Sequence, residues 1–252
     1  MKEGVDVKVP NVAIVFAGGS GVRMGASRPK QFLELDGKPV LAHTLGIFQD
    51  HPLVDAIVLA ADPAHFGECR AIAADYGVSK PLHLAPGGET AQDSIRSALE
   101  TAARLYPPET VVIVHDGVRP YVLPEVVTAN IESVLECGTA VTYTPCFETV
   151  VLSRDGRAID AMPYRRESYT VQAPQSFRLG ALLDAHARIR ARPQGYADMI
   201  DQATIFWTLG IPLRLVPGNR GNVKITTPED IIALDALLKA RRAASGGKEA
   251  AK

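Results

Sequence analysis

Four short motifs, far apart in the chain, carry residue types that phosphate chemistry needs. The first is Ala17-Gly18-Gly19-Ser20-Gly21-Val22-Arg23-Met24-Gly25, closing at Pro29-Lys30-Gln31. Its glycines leave backbone N–H groups open to phosphate oxygens, with no Cβ in the way. Arg23 and Lys30 follow as fixed positive charges. Such a loop suits a triphosphate, whose charge must be neutralised most where it grows during displacement at phosphorus. The second motif is His115-Asp116-Gly117-Val118-Arg119-Pro120. A carboxylate beside a triphosphate takes part in Mg2+ coordination or holds a hydroxyl of an acceptor. Arg119 suits bidentate capture of an acceptor phosphate, with a structural Asp–Arg pair as the plain alternative. His115 reads as a strand-end side chain that holds the loop by a hydrogen bond, not as a base.

The third motif, Gly87-Gly88-Glu89-Thr90-Ala91-Gln92-Asp93-Ser94, is a Gly-Gly turn entering a helix. The turn lets a flat base lie against backbone while Ser94 reads its edge. The plain alternative is a helix start with Thr90 as N-cap. The fourth, Asn222-Val223-Lys224-Ile225-Thr226-Thr227-Pro228, sets Lys224 between two apolar residues on a short extended segment. On such a segment Lys224 points away from its neighbours, either into a phosphate site or into solvent.

The elements that position these motifs follow from periodicity. Val12 to Phe16, Asp55 to Ala60, Pro81 to Ala85, Thr110 to Val114 and Thr139 to Thr144 are apolar runs of strand length, most of them ended by Gly, Pro or a polar pair. Pro39 to Gln49, Pro63 to Tyr76, Ala91 to Leu105 and Pro124 to Cys137 carry helical spacing between them. Alternation of this kind implies a parallel sheet with helices on both faces, and such sheets bind ligands at the carboxyl ends of their strands. The glycine loop, the Gly-Gly turn and His115-Asp116 all fall there. The rhythm breaks after Pro145. Glu148 to Ala161 reads as a hairpin turning at Asp155-Gly156. A lone hairpin has little to bury itself against, so an arm exchanged with a second copy is expected. Gln172 to Phe177 returns to the core, Arg178 to Ala191 and Met199 to Leu209 read as helices, and Leu213 to Val216 as a strand. Thr227 N-caps a last helix with Pro228 in its first turn.

Composition bounds the function. The chain has 252 residues, 46 % of them hydrophobic, enough for one large α/β domain. A net charge of −1 gives no global basic field for nucleic acid. No apolar run could span a bilayer, and the first residues have no signal-peptide core. Three scattered cysteines, Cys69, Cys137 and Cys146, point to free thiols in a reducing cytoplasm.

The first loop is neither a Walker A sequence nor a dinucleotide fingerprint, because no Gly-Lys-Ser/Thr follows and Met24 stands where the third Gly would be. With Pro29-Lys30-Gln31 behind, it resembles the loop of nucleotidyltransferases that join a sugar or polyol phosphate to a nucleoside triphosphate. Adding Asp93-Ser94, His115-Asp116, Arg119-Pro120, Thr149, Arg165, Pro174-Gln175, Asn222, Lys224 and Pro228-Glu229-Asp230, the chain is similar to the cytidylyltransferases that make CDP-methylerythritol or CDP-ribitol, from Val12 to about Leu238. The resemblance implies an α/β Rossmann-like domain over residues 11–240, with a mostly parallel sheet, helices on both faces and a protruding β-hairpin dimerisation arm over about 146–168. Residues 1–10 and 241–252 are then flexible termini. It implies CTP with Mg2+, a homodimer, and no nucleic-acid or membrane partner. It assigns Arg23, Lys30 and Lys224 to the charge at the α-phosphorus. Ala17, Gly18, Gly19, Gly88, Asp93, Ser94 and Gly117 bind the nucleotide. Asp116, Arg119, Thr149 and Arg165 face the polyol phosphate, with Asp116 also at the metal and Arg165 reaching over from the partner's arm.

Departures separate the branches. Ala17-Gly18-Gly19 replaces the Ala-Ala-Gly usual for the methylerythritol branch. Met162-Pro163-Tyr164-Arg165, Gln172 to Phe177 and Ile205-Phe206 lean toward the ribitol branch. Against both, Ala91 stands where an Arg is usual, and Ile200-Asp201 where Thr-Asp is usual. The expected reaction is CTP plus a polyol 5-phosphate giving a CDP-polyol and pyrophosphate. A methylerythritol acceptor, a uridylyl- or guanylyl-transferase, and a non-catalytic nucleotide-binding protein of the same fold stand as alternatives.

Overall fold

In the computed structural model, which describes residues 9–18 and 28–249, the central apolar runs become strands buried on both faces. In chain order the elements are β1 (Asn11–Phe16), β2 (Glu34–Leu35), β3 (Lys38–Pro39), α1 (Val40–Asp50), β4 (Ala56–Ala61), α2 (Phe66–Asp75) and β5 (Leu82–Pro86). Then come α3 (Ala91–Ala103), β6 (Val111–Asp116), α4 (Pro124–Cys137), β7 (Thr139–Pro145), β8 (Tyr169–Arg178), α5 (Leu179–Arg190), α6 (Gln202–Thr208), β9 (Leu215–Pro217) and α7 (Pro228–Glu249).

The main sheet runs β5-β4-β1-β6-β8-β7-β9. All its pairs are parallel except those of β8, which runs antiparallel to β6 and β7. Alternation along β1 explains its unbroken apolar sequence. Ala13 and Val15 face one core, with Leu41, Leu45 and Ile72 of α1 and α2 and Val127 and Ile131 of α4. Val12 and Ile14 face the other, with Ile95 and Leu99 of α3 and Leu182 and Ile189 of α5. A strand covered on both sides needs apolar residues at every position. A third, smaller cluster joins Leu35, Val40, Val118, Ile225 and Leu234, and so ties the β2–β3 hairpin to α7.

Several expectations change in detail. Pro63–His65 is a separate 3-10 turn before α2, because the Asp62 side chain caps it at Ala64 N. The helix expected from Met199 starts at Gln202, where Asp201 Oδ1 accepts from Thr204 N at 2.8 Å. At α7 the capping group is Asp230, whose Oδ2 accepts from Thr226 N and Thr227 N at 2.7 and 2.8 Å. This is the returning half of a capping box. Helical backbone continues to Glu249, with Arg242 paired to Asp36 at 2.6 Å and Arg241 over the Tyr121 ring at 5.1 Å.

The arm keeps its expected hairpin connection but little of a regular ladder. Between β7 and β8 the expected hairpin is reduced to one isolated antiparallel bridge, Leu152↔Ala161. Its turn is as expected: Gly156 has φ +69°, and Asp155 Oδ1 accepts from Arg157 N and Ala158 N. Leu152, Ile159 and Met162 are 54 %, 60 % and 60 % exposed. A two-stranded ladder with no apolar surface beneath it is marginal in water, which accounts for the loss of the flanking pairs.

Candidate active site

The carboxyl ends of β1, β4 and β6 meet at one rim, held by bonds that leave no room for side chains. Ala17 N donates to Ala60 O at 2.8 Å and Gly117 N to Phe16 O at 2.8 Å. A Cβ on Gly117 would stand 2.9 Å from Ala17 Cβ, so the strand ends approach this closely only because residue 117 is glycine. Gly88 is under the same constraint, since its Cβ would meet Asp93 Cβ at 2.3 Å. Ser94 Oγ donates to Thr90 O and accepts from Gly88 N, both at 3.0 Å. Thr90 N-caps α3: its Oγ1 accepts from Asp93 N at 3.1 Å and donates to Asp93 Oδ2 at 2.6 Å. The N-cap reading of this turn is therefore present in the geometry. Asp93, Ser94 and the Gly88 amide shape the wall with bonds made among themselves. Gly18 packs beside Ser94, where a Cβ would come within 3.1 Å of Oγ. A cavity of about 430 Å3 opens there, lined by Ala17, Gly18, Gln31, Asp62, Gly87 and Gly88. Gln31, fully inside, donates from Nε2 to Ala17 O at 2.9 Å and so fixes the Pro29-Lys30-Gln31 motif to the end of β1. Gly19 and Arg23 lie outside the described residues.

A second cavity, of about 280 Å3, lies on the α3 side of the rim against Phe16, Asp116, Arg119, Ile200, Asp201 and Lys224. Asp116 is its electrostatic centre. Oδ1 lies 2.5 Å from Lys224 Nζ and Oδ2 2.9 Å from Arg119 Nε. Burial alone would raise the Asp116 carboxyl, but the charges of Lys224 and Arg119 hold it below the usual carboxylate range. Arg119 Nη1 also donates to Asn222 O at 2.8 Å, and Lys30 Nζ donates to Ile225 O at 3.0 Å. Two cations from distant parts of the chain, Lys30 and Arg119, thus converge on one segment, residues 222–225, which carries a third, Lys224. That segment is itself pinned. Ile225 is fully buried and its N–H donates to Val118 O at 2.9 Å, while Asn222 Nδ2 donates to Ala173 O at 2.5 Å.

His115 donates from Nε2 to Arg119 O at 3.0 Å, and burial pushes its imidazole down to about 4. It is a neutral brace for the loop, as its place at the strand end suggested. Lys224 faces Asp116, but not by strand alternation. The segment is irregular, Val223 is 36 % exposed and Ile225 is buried, so the two neighbours do not share a side. Sequence reasoning missed the acceptors that hold the cations, because Asn222 O and Ile225 O are main-chain atoms with no side-chain signature.

The donor set does not make a metal cage. Both Asp116 oxygens are engaged by cations, and among the described residues no three His, Cys, Asp or Glu side chains cluster. Asp116, expected at the metal, contributes a single carboxylate that two cations engage. Thr149 and Arg165 are exposed on the arm and line neither cavity. A single chain does not bring them to Asp116.

Comparison with known proteins agrees with this geometry. The family of 2-C-methyl-D-erythritol 4-phosphate cytidylyltransferases (IspD) matches residues 11–240. A ribitol-5-phosphate cytidylyltransferase of Streptococcus agalactiae is 40 % identical over 232 residues, covering 92 % of this chain and 96 % of that protein. A 2-C-methyl-D-erythritol 4-phosphate cytidylyltransferase of Syntrophotalea carbinolica is 37 % identical, covering 89 % of this chain and 94 % of that protein. The crystal structure of 4-diphosphocytidyl-2C-methyl-D-erythritol synthase from Anaerococcus prevotii superposes with a TM-score of 0.79 at 26 % identity, over 92 % of this chain and 96 % of that one. With cations and glycines gathered at the carboxyl rim of a mostly parallel sheet, and with these matches along nearly its whole length, the chain belongs to the IspD cytidylyltransferase family and is a nucleotidyltransferase.

Proposed function

We propose that this enzyme transfers the cytidylyl group of CTP to D-ribitol 5-phosphate, releasing pyrophosphate and forming CDP-ribitol. The observation that carries the reading is the convergence of Lys30 and Arg119 on residues 222–225, which carry Lys224, beside a polyol-sized cavity. An oxygen of the acceptor phosphate attacks the α-phosphorus in line. The bond from the α-phosphorus to the α,β-bridging oxygen breaks, and that oxygen leaves with pyrophosphate. No side-chain nucleophile is required, since a phosphate dianion is one already, and catalysis rests on positioning and charge. Lys30 and Lys224, with Arg23 from the glycine loop, meet the charge that grows on the transferring and leaving groups. Arg119 holds the acceptor phosphate, and Asp116 sets the spacing of Arg119 and Lys224 and offers an acceptor to a polyol hydroxyl. Ala17, Gly18, Gly19, Gly88 and Gly117 give the nucleotide close backbone approach, while Asp93 and Ser94 hold the turn. Mg2+ belongs here to the triphosphate it neutralises.

The same reading makes the enzyme a cytoplasmic homodimer in which Thr149 and Arg165 act across the interface. The exposed apolar residues of the arm support this, since they need a surface that one chain does not supply. Among the described residues no helix is long and apolar enough to cross a membrane. The ribitol branch is favoured by the 40 % identical relative and by the arm motif. One observation favours methylerythritol 4-phosphate instead: Ile200, 86 % exposed, offers an apolar side chain at the mouth of the cavity that a methyl group could cover. Pyrophosphate release from CTP, UTP or GTP with a panel of polyol and sugar phosphates tests the reading. Release is expected with CTP and a polyol phosphate. Release with UTP and a sugar 1-phosphate, or none with any pair, would reject it.

A further inference from the structure

Behind the wall of the Asp116 cavity, five residues make a hydrogen-bond chain that the transfer chemistry leaves unused. Gln92 Nε2 donates to Met199 O at 3.0 Å, and Gln202 Nε2 donates to Gln92 Oε1 at 2.8 Å. His186 Nε2 lies 2.7 Å from Gln202 Oε1, and His186 Nδ1 lies 2.6 Å from the Tyr196 hydroxyl. The direction of the chain is fixed from one end. Met199 O can only accept, so the Gln92 amide must present its oxygen to Gln202, and Gln202 its oxygen to His186. Nε2 of His186 therefore carries the proton, and Nδ1 accepts from Tyr196 O–H. Burial, which pushes His186 down to about 4, agrees with a neutral ring.

The chain begins at Tyr196 and ends at Met199, so it closes on a single loop. Residues 191–201 contain no strand or helix, and two of them, Gly195 and Asp198, have φ of +52° and +65°. The ring runs from this loop through α5, α6 and α3 and back. Gln92, His186 and Gln202 are each at most 3 % exposed. Gln175 adds a strut, donating from Nε2 to Asp201 Oδ2 at 2.9 Å and accepting from Ala203 N at 2.9 Å. What the ring holds still is the end of the loop, Ile200 and Asp201, and both line the cavity with Asp116, Arg119 and Lys224.

We propose that His186 is a positioning residue for the acceptor: the ring it centres holds residues 196–202 as a preformed wall of the polyol subsite. The proposal rests on the functional reading above. A loop released from the ring spends part of its time away from the wall, and apparent acceptor affinity falls in proportion to the closed fraction. The ring meets the nucleotide side only through the start of α3, where Gln92 adjoins Asp93 and Ser94, whereas the loop end lines the acceptor cavity directly, so CTP binding changes less than acceptor binding.

The test compares wild type with Tyr196→Phe, which removes one hydroxyl from the ring, and His186→Phe, which removes two bonds while keeping an aromatic ring. Tyr106→Phe is the control, since it breaks another histidine–tyrosine contact, His83–Tyr106 at 3.2 Å, that does not touch the loop. KM for the acceptor, KM for CTP and amide hydrogen exchange over residues 196–203 are measured for each. We expect a rise of about 5- to 50-fold in acceptor KM for Tyr196→Phe. The CTP KM should stay within about twofold, exchange in the loop should be faster, and the control should change neither. If His186→Phe does not fold, Tyr196→Phe carries the test alone. Equal shifts in both KM values would make the ring a general stabiliser and overturn the proposal, as would an unchanged acceptor KM. Wild type that turns over no polyol phosphate overturns the functional reading itself, and the positioning role with it.

Discussion

Replacing Asp116 with Asn preserves the shape of the side chain and removes its charge. That charge stands 2.5 Å from Lys224 and 2.9 Å from Arg119. At an effective dielectric of about 20, each pairing is worth on the order of 6 kcal/mol of gross attraction. Desolvation of the ions cancels most of that, but removal of the shared anion leaves two cations behind, which is the costly case. The Lys224 side chain is 41 % exposed and can turn to water, so its share is under about 1 kcal/mol. The Arg119 side chain is 14 % exposed and cannot, so its share is about 3 kcal/mol. For a domain of this size that lowers Tm by roughly 6–12 °C. The unbalanced cations should also attract polyanions. Pyrophosphate is therefore expected to raise the Tm of Asp116→Asn more than that of wild type, while kcat falls because Arg119 and Lys224 lose their spacing. Thermal denaturation with and without pyrophosphate, alongside turnover, measures all three. A variant that melts within about 1 °C of wild type and responds to pyrophosphate no more strongly would refute the reasoning.

Three further outcomes are expected. Lys30→Ala and Arg23→Ala should each lower kcat about 10²- to 10³-fold with smaller changes in the KM for CTP; near-normal kcat with a raised KM would assign that residue to ground-state binding. Arg165→Ala and Lys224→Ala, each inactive alone, should recover about a quarter of wild-type activity when mixed as unfolded chains and refolded together, because half the dimers then hold one intact site; no recovery would place Arg165 on its own chain's site or outside it. Stability should fall as pH drops from about 6.5 to about 4. His115 and His186 stay neutral in the fold down to about 4, whereas in the unfolded chain they take up protons near 6.5. The loss is up to about 1.4 kcal/mol per pH unit for each histidine, and a urea midpoint that is flat across this window would contradict it.

Much of the frame was legible because each signal was local. Most strands of the main sheet are apolar runs cut by Gly, Pro or a polar pair, with ends within about two residues of expectation, while β8 starts three residues before Gln172 and the short β2 and β3 carry no such run. α4 runs from Pro124 to Cys137 as expected, with Gly138 in the left-handed conformation that ends it. What could not be read depends on contacts between distant residues. Nothing local says that β8 enters between β6 and β7 against their direction, or that the arm keeps one bridge of its ladder. Asp93 and Ser94 carry groups that suit a nucleotide, yet their bonds are spent inside the turn. Asn222 and Ile225 hold cations with carbonyls, which every residue has. Gln92, His186 and Gln202 sit on three separate helices or their starts, and only the fold makes them one chain.

The central claim is cytidylyl transfer to ribitol 5-phosphate, and the most direct measurement is kcat/KM for D-ribitol 5-phosphate and for 2-C-methyl-D-erythritol 4-phosphate at saturating CTP and Mg2+, with the product identified by mass. The account predicts CDP-ribitol and the higher value for ribitol 5-phosphate. A site that hydrogen-bonds a hydroxyl rejects an analogue lacking it more strongly than an apolar site rejects an added one. A higher value for methylerythritol 4-phosphate would contradict the assignment, and would show that Ile200, rather than the polar groups around Asp116, sets the choice of acceptor.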